Sequence, residues 1–199
     1  ALRTPPTPWR RCVLAGQQFF PPIRSIPARR VSGPRQPTNP NYPAVRKDYF
    51  LDHDHSSYVD QWDWERVMTA DQSNLDYLKD TVRKIWKVIR GAGKLAQDMY
   101  PELKKTKYPD YPEELTFLHA EELLDMYPDL PRKQRETTVL QKYPAVFIIG
   151  IGWVLKDGYP HEMRAADYDD WVTDTSKMTG KPTHGLNGDI LVWNPVTKR

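Results

Sequence analysis

The first 47 residues contain no aspartate or glutamate, although the 199-residue chain holds 26 acidic side chains. Nine Lys/Arg occupy that stretch with no internal counter-charge, which favours an anionic or acidic partner. The formal net charge of +3 hides this division, because the remainder carries 20 basic against 26 acidic residues. Cysteine is nearly absent as well: Cys12 stands alone, which excludes an internal disulfide and a cysteine-built zinc site. Long apolar runs are missing. The longest, Ala145–Ile149 and Ile190–Trp193, fall far short of the roughly 18 residues that a spanning helix needs. No glycine-rich phosphate loop and no internal repeat is found. At 39% apolar content the length suits one hydrophobic core.

Proline is concentrated where acid is missing, with ten of the 19 prolines among residues 1–47. Each removes a backbone donor and holds φ near −65°, so helices and central strands are disfavoured there. The reading is a basic, extended arm over residues 1–42 and a folded domain over 43–199. Arg-rich, acid-free composition also resembles a mitochondrial presequence.

Within the domain, periodicity predicts the elements. Residues 57–66 alternate, so a strand there sends Val59, Gln61, Asp63 and Glu65 to one face and Trp62 and Trp64 to the other. Leu75, Leu78, Val82, Ile85, Trp86 and Ile89 recur at three- and four-residue steps, predicting a helix over 71–90 that Gly91 and Gly93 end. A strand at Thr116–His119 leads into a helix stopped near Pro128, and a second helix runs from Pro131 to Lys142. Ala145–Leu155 reads as a buried strand, Lys156-Asp157-Gly158 as a turn, and Asp189–Asn194 as a strand ended by Pro195. Strands and helices mix without a regular alternation, so the fold class expected is α+β, a mostly antiparallel sheet with flanking helices.

Gln61, Asp63 and Glu65 would stand at steps of roughly 7 Å along one strand face. Two carboxylates and an amide in a row suit a small zwitterion, the carboxylates holding an ammonium group; an ordinary solvated strand face has the same pattern. His53 and His55 flank Asp54 but lack further ligands nearby, and read as loop residues. Trp62 and Trp64 lack interleaved basic residues and read as packing groups.

Three segments carry a resemblance. Tyr58-Val59-Asp60-Gln61-Trp62-Asp63-Trp64-Glu65-Arg66-Val67, Arg164-Ala165-Ala166-Asp167-Tyr168-Asp169-Asp170-Trp171, and Gly185 through Asn194 are similar, in the same order, to motifs of the asparagine synthetase A (aspartate–ammonia ligase) family. With weaker similarity at Leu118–Leu124 and Ala145–Gly152, the resemblance covers about 43–196. It implies a class II aminoacyl-tRNA synthetase-like fold, here a partial one, and a ligase that activates aspartate with ATP and magnesium before ammonia displaces AMP. It also implies residue roles: Gln61 and Asp63 in the aspartate pocket with Glu65 beside them, Arg46 on the nucleotide phosphate, Asp48 in the nucleotide hairpin, Arg164 and Asp169 in the pocket, and Asp189 on the nucleotide and metal side.

Departures from the family pattern set the functional expectation. Tyr49 stands where the family motif carries glutamate, and segments that the family places before and after this stretch are not among the 199 residues. The expectation is a non-catalytic descendant with no functional catalytic or metal-binding residue and no cofactor, serving as a subunit of a mitochondrial assembly. A respiratory or ATP synthase complex is the first choice and the mitochondrial ribosome the competitor. Partner subunits, anionic lipid or ribosomal RNA are the expected contacts of the arm, and another chain is expected to cover open sheet edges. The alternatives are an active ligase completed from outside this stretch, and a sensor that binds aspartate, asparagine or a nucleotide.

Overall fold

The computed structural model describes residues 11–12, 41–45, 58–62, 66–105, 111–162, 170–195 and 198, with the backbone alone at 11–12, 41–45 and 59–62. Contacts divide the chain into two units, residues 1–70 and 71–199. Each is described by itself.

In the first unit, β1 (Arg11–Cys12), β2 (Asn41–Val45), β3 (Tyr58–Trp62) and β4 (Arg66–Val67) form two antiparallel pairs. β2 runs against β3 from Asn41 opposite Trp62 to Val45 opposite Tyr58, and β1 runs against β4. Pro43 is tolerated in β2 because a two-stranded sheet consists only of edges. The single strand expected over 57–66 is therefore found as two described pieces in different sheets. The pairing of β3 ends at Trp62, opposite Asn41, the first residue of β2, and residues 63–65 between the pieces lie outside the described residues.

The second unit opens with α1 (Leu75–Met99), preceded by a 3-10 turn at Ala70–Gln72. Asn74 caps it, its side chain accepting from the Tyr77 N–H at 2.9 Å, so the helix starts four residues later than the apolar spacing alone suggested. It also runs nine residues past the predicted stop. Glycine weakens a helix by about 1 kcal/mol relative to alanine, yet it keeps its N–H and fits helical φ/ψ. Pro101 is the effective terminator: it pushes Tyr100 to φ −127° and ψ 82°, and the chain continues as a 3-10 turn over Pro101–Lys105. Leu78, Val82 and Trp86 form the buried stripe of α1, with Trp86 Nε1 donating to the Pro112 carbonyl at 3.1 Å.

β5 (Thr116–His119), α2 (Ala120–Met126), α3 (Arg132–Lys142) and β6 (Ala145–Ile149) follow, then α4 (Ser176–Thr179) and β7 (Gly188–Val192). β6 is the middle strand of a three-stranded sheet. It pairs in parallel with β5, Leu118 opposite Ile148, and antiparallel with β7, Ile148 opposite Asp189. The fold is α+β, as expected. Three of the four described strand pairs are antiparallel. The parallel pair was not expected; α2 and α3 supply the crossover that a parallel connection requires.

Alternation along β6 sends Val146 and Ile148 to one face, where they join Leu123 and Leu124 of α2, Val139 and Leu140 of α3, and Ile151 and Leu155. Phe147 points the other way. Its ring meets that of Phe117 edge-on at 5.8 Å, and α1 lays the Arg83 guanidinium 5.2 Å from the Phe117 centroid. The sheet is thus covered on both faces, which explains why all of Ala145–Ile149 is buried. β6 stops at Ile149 rather than Leu155, because Gly150 turns the chain at φ +78°. The predicted turn at Lys156-Asp157-Gly158 is present, Gly158 N donating to the Leu155 carbonyl at 2.9 Å.

A Cβ added at Gly91 meets nothing within 4 Å. Replacing Gly91 by Ala should therefore raise unfolding stability by about 0.5–1 kcal/mol, through lower unfolded-chain entropy, and shift the thermal midpoint upward. A helix that ended at Gly91 would show no such gain, so a melting curve of the variant checks the extent of α1.

Candidate functional site

Of the residues that the sequence marks as pocket residues, Arg46, Asp48, Asp63, Glu65, Arg164 and Asp169 lie outside the described residues, as do Tyr49, His53 and His55. Gln61 is placed by its backbone, opposite Tyr42 in the β2–β3 pair. Asp189 is fully placed. It is half-buried on β7 opposite Ile148, and shares its sheet face with Leu191, the face that packs α2 and α3. Among the described residues no group of three or more His, Cys, Asp or Glu side chains is gathered to hold a metal.

Two of the three resembling motifs are brought together, and the joint is Asn187. Its side-chain oxygen accepts from the Asp170 N–H at 2.9 Å, while Nδ2 donates to the Ile151 carbonyl at 3.3 Å. The Asn187 carbonyl accepts from Gly150 N at 2.8 Å, and Leu186 N donates to the Asp170 carbonyl at 3.0 Å. One residue thereby ties the end of the 164–171 motif to the turn after β6 and to the entry of β7. An amide is the side chain suited to this task, since it offers a donor and an acceptor at once.

The Asp170 carboxylate is consumed locally. One oxygen accepts from the backbone N–H groups of Val172 at 3.1 Å and Thr173 at 3.0 Å; the other accepts from Thr173 Oγ1 at 2.6 Å and Ser73 Oγ at 3.3 Å. Four donors converge on the carboxylate, so it holds the loop in shape and offers little to a ligand. Beyond it, Thr175 and Thr179 both reach the Thr183 hydroxyl at 3.0 Å, and the open loop carboxylate of Asp174 is held below the usual range by hydrogen bonds from Ser176.

His119 closes the other side of the joint. It caps α2, Nδ1 accepting from the Glu121 N–H at 3.1 Å while Glu122 returns a bond to the His119 N–H at 2.8 Å. With Nδ1 an acceptor, Nε2 carries the hydrogen and faces the His184 carbonyl at 3.3 Å. The ring is fully buried, and burial lowers its pKa to about 4. It is therefore neutral at physiological pH with both nitrogens engaged, a structural role rather than that of a proton shuttle. Gly150 exists for this ring: a Cβ there would sit 2.1 Å from His119 Nε2. Gly188 makes room in the same way for Phe147, whose ring a Cβ would meet at 2.5 Å. The His184 ring packs against Trp153 at 4.8 Å.

Sequence reasoning missed His119, Asp170, Asn187 and Ser73 as members of one joint. A signal for part of it was present: Asp170 stands three residues before Thr173, and such acidic starts favour side-chain-capped turns. The convergence of Ser73 and Asp170 across 97 residues had none.

The sequence profile of the aspartate-ammonia ligase family matches residues 38–199. The match takes in all three motifs, the whole described three-stranded sheet and its joint, and leaves out most of the basic Pro-rich arm.

Two outcomes follow. Asn187→Asp puts an oxygen where Nδ2 faces the Ile151 carbonyl, and should cost about 1–3 kcal/mol of unfolding stability by denaturant titration; a loss under 0.5 kcal/mol would mean the joint is not built as described. His119, whose folded-state pKa lies below its ordinary 6.5, gives a pH dependence of definite sign. The unfolded chain binds a proton that the fold rejects, so stability is full above pH about 6.5 and falls as pH drops toward about 4. The loss is at most about 3 kcal/mol. In His119→Asn, which keeps a capping acceptor but cannot titrate, that part of the slope should vanish.

Proposed function

From membership of the aspartate-ammonia ligase family, to which this chain belongs, we propose that it is a non-catalytic descendant of an asparagine synthetase, kept as a structural subunit of a large mitochondrial assembly. Tyr49 carries this reading. A phenol ring replaces a carboxylate in the hairpin that in the family receives the nucleotide, and ligase chemistry depends on placing two anions together and neutralising the charge that develops. Losing one charged group from such a set removes transition-state stabilisation that neighbours do not replace.

The engagement of Asp170 and His119 agrees with this reading, since the buried polar groups beside β6 and β7 serve the loops. Charge distribution supports the location. Nine cations without an anion in residues 1–47 suit partner subunits or anionic lipid headgroups, as at a respiratory or ATP synthase complex. The excess of acid in the rest of the chain argues against the whole protein lying on ribosomal RNA, which leaves the mitochondrial ribosome as the lesser choice.

A second reading has one observation in its favour: Arg46, Gln61, Asp63, Arg164, Asp169 and Asp189 all retain family identities. If it holds, ATP and magnesium are the cofactors. Arg46 would grip phosphate with its planar fork, and the carboxylates would hold the ammonium group of aspartate.

Fractionation of the native organelle separates the two. The subunit reading expects the chain at fixed stoichiometry in one large complex, and no asparagine or pyrophosphate formed from aspartate, ATP and ammonia. A free protein that forms asparagine would overturn it.

A further inference from the structure

The segment from Lys156 to Glu162 is tied to α2 and α3 with almost no apolar anchor of its own. Leu155, just before it, belongs to the core that α2, α3 and β6 share, but within the segment Tyr159 is exposed and Pro160 only half-buried. Carboxylates hold it instead, and they come from both sides. From α2, Glu121 accepts from the Lys156 N–H at 3.2 Å, and Asp125 pairs with the ammonium groups of Lys156 and Lys181. From the segment itself, Glu162 meets Arg132 of α3 at 2.8 Å, and Asp157 lies 3.7 Å from Arg135. The last tie joins Glu136 of α3 to His161 Nε2 at 2.9 Å.

One group opposes these ties. The His161 side chain is 1% exposed, and its Nε2–H donates to the Glu136 carboxylate, which leaves Nδ1 a buried acceptor without a partner. Burying such a nitrogen costs hydration that nothing returns. The ion pairs set against that cost are partly exposed, and such pairs contribute little each. We propose that Lys156–Glu162 is a salt-sensitive strap, closed by these five carboxylate ties and poised to open as a unit while the three-stranded sheet stays folded. Nearly balanced contributions and little buried apolar area are the conditions under which a segment opens by itself. Opening hydrates the His161 ring and frees the N-terminal half of α3. The strap ends two residues before Arg164, so its closure fixes the point from which the 164–171 motif starts.

Two readouts on the full chain report opening: hydrogen exchange at the Lys156 N–H, which Glu121 protects, and reaction of the His161 ring with diethylpyrocarbonate. Exchange at Ala145–Ile149 reports unfolding of the sheet. Raising sodium chloride from about 0.05 to about 0.5 M at fixed pH should speed both strap readouts at least about threefold and leave Ala145–Ile149 unchanged. Glu136→Gln keeps an acceptor for Nε2 but removes the charge, and should have the same effect at low salt. Lys84→Gln removes a cation paired with Asp80 on α1 and should leave the strap as it was. No acceleration with salt, none in Glu136→Gln, equal acceleration in Lys84→Gln, or acceleration shared by Ala145–Ile149 would each overturn the strap.

Discussion

Burial of Ala145–Ile149 on both faces is the constraint on which the second unit depends. Five consecutive apolar residues, each no more than 2% exposed, must be covered above and below. Each larger side chain so buried contributes roughly 1.5–3 kcal/mol. Their backbone groups must be paired on both edges as well, and β5 and β7 meet that demand. The covering helices then follow by position. α2 and α3 take the face of Val146 and Ile148, and α1 reaches the Phe117–Phe147 face.

The joint at Asn187 is a consequence of that arrangement. A central strand that ends abruptly leaves a turn whose polar backbone is buried, and Gly150 and Ile151 find their acceptor in the Asn187 carbonyl at the head of β7. His119, at the end of β5 on the other side, is held over the same turn by the absence of a side chain at Gly150. Two glycines, an amide and a buried imidazole are thus selected together by close approach. These demands are architectural, and they would persist in a family member that had given up catalysis.

Family motifs are therefore no direct guide to chemistry here. Motif residues such as Asp170 and Asn187 are kept by the loops they hold, so their presence is weak evidence of chemistry. α1 extends well past its buried stripe and leaves Val88, Leu95 and Met99 exposed.

By itself the sequence determined the family, through its three motifs, and the α+β class and the existence of α1, α2, α3 and β6, because these rest on local periodicity, apolar content and proline stops such as Pro128. It also determined the charge division at the arm, which is composition alone. Element lengths were less legible: Gly91 and Gly93 read as a stop that the helix ignored, and Gly150 ended a strand read as continuing to Leu155, since a glycine's effect depends on the φ its surroundings impose. Only the tertiary structure decided that β5 lies parallel to β6, that Ser73 meets Asp170 across 97 residues, and that Val88, Leu95 and Met99 stay uncovered. Pairing direction, long-range hydrogen bonds and exposure are set by which surfaces meet, and no local pattern encodes that.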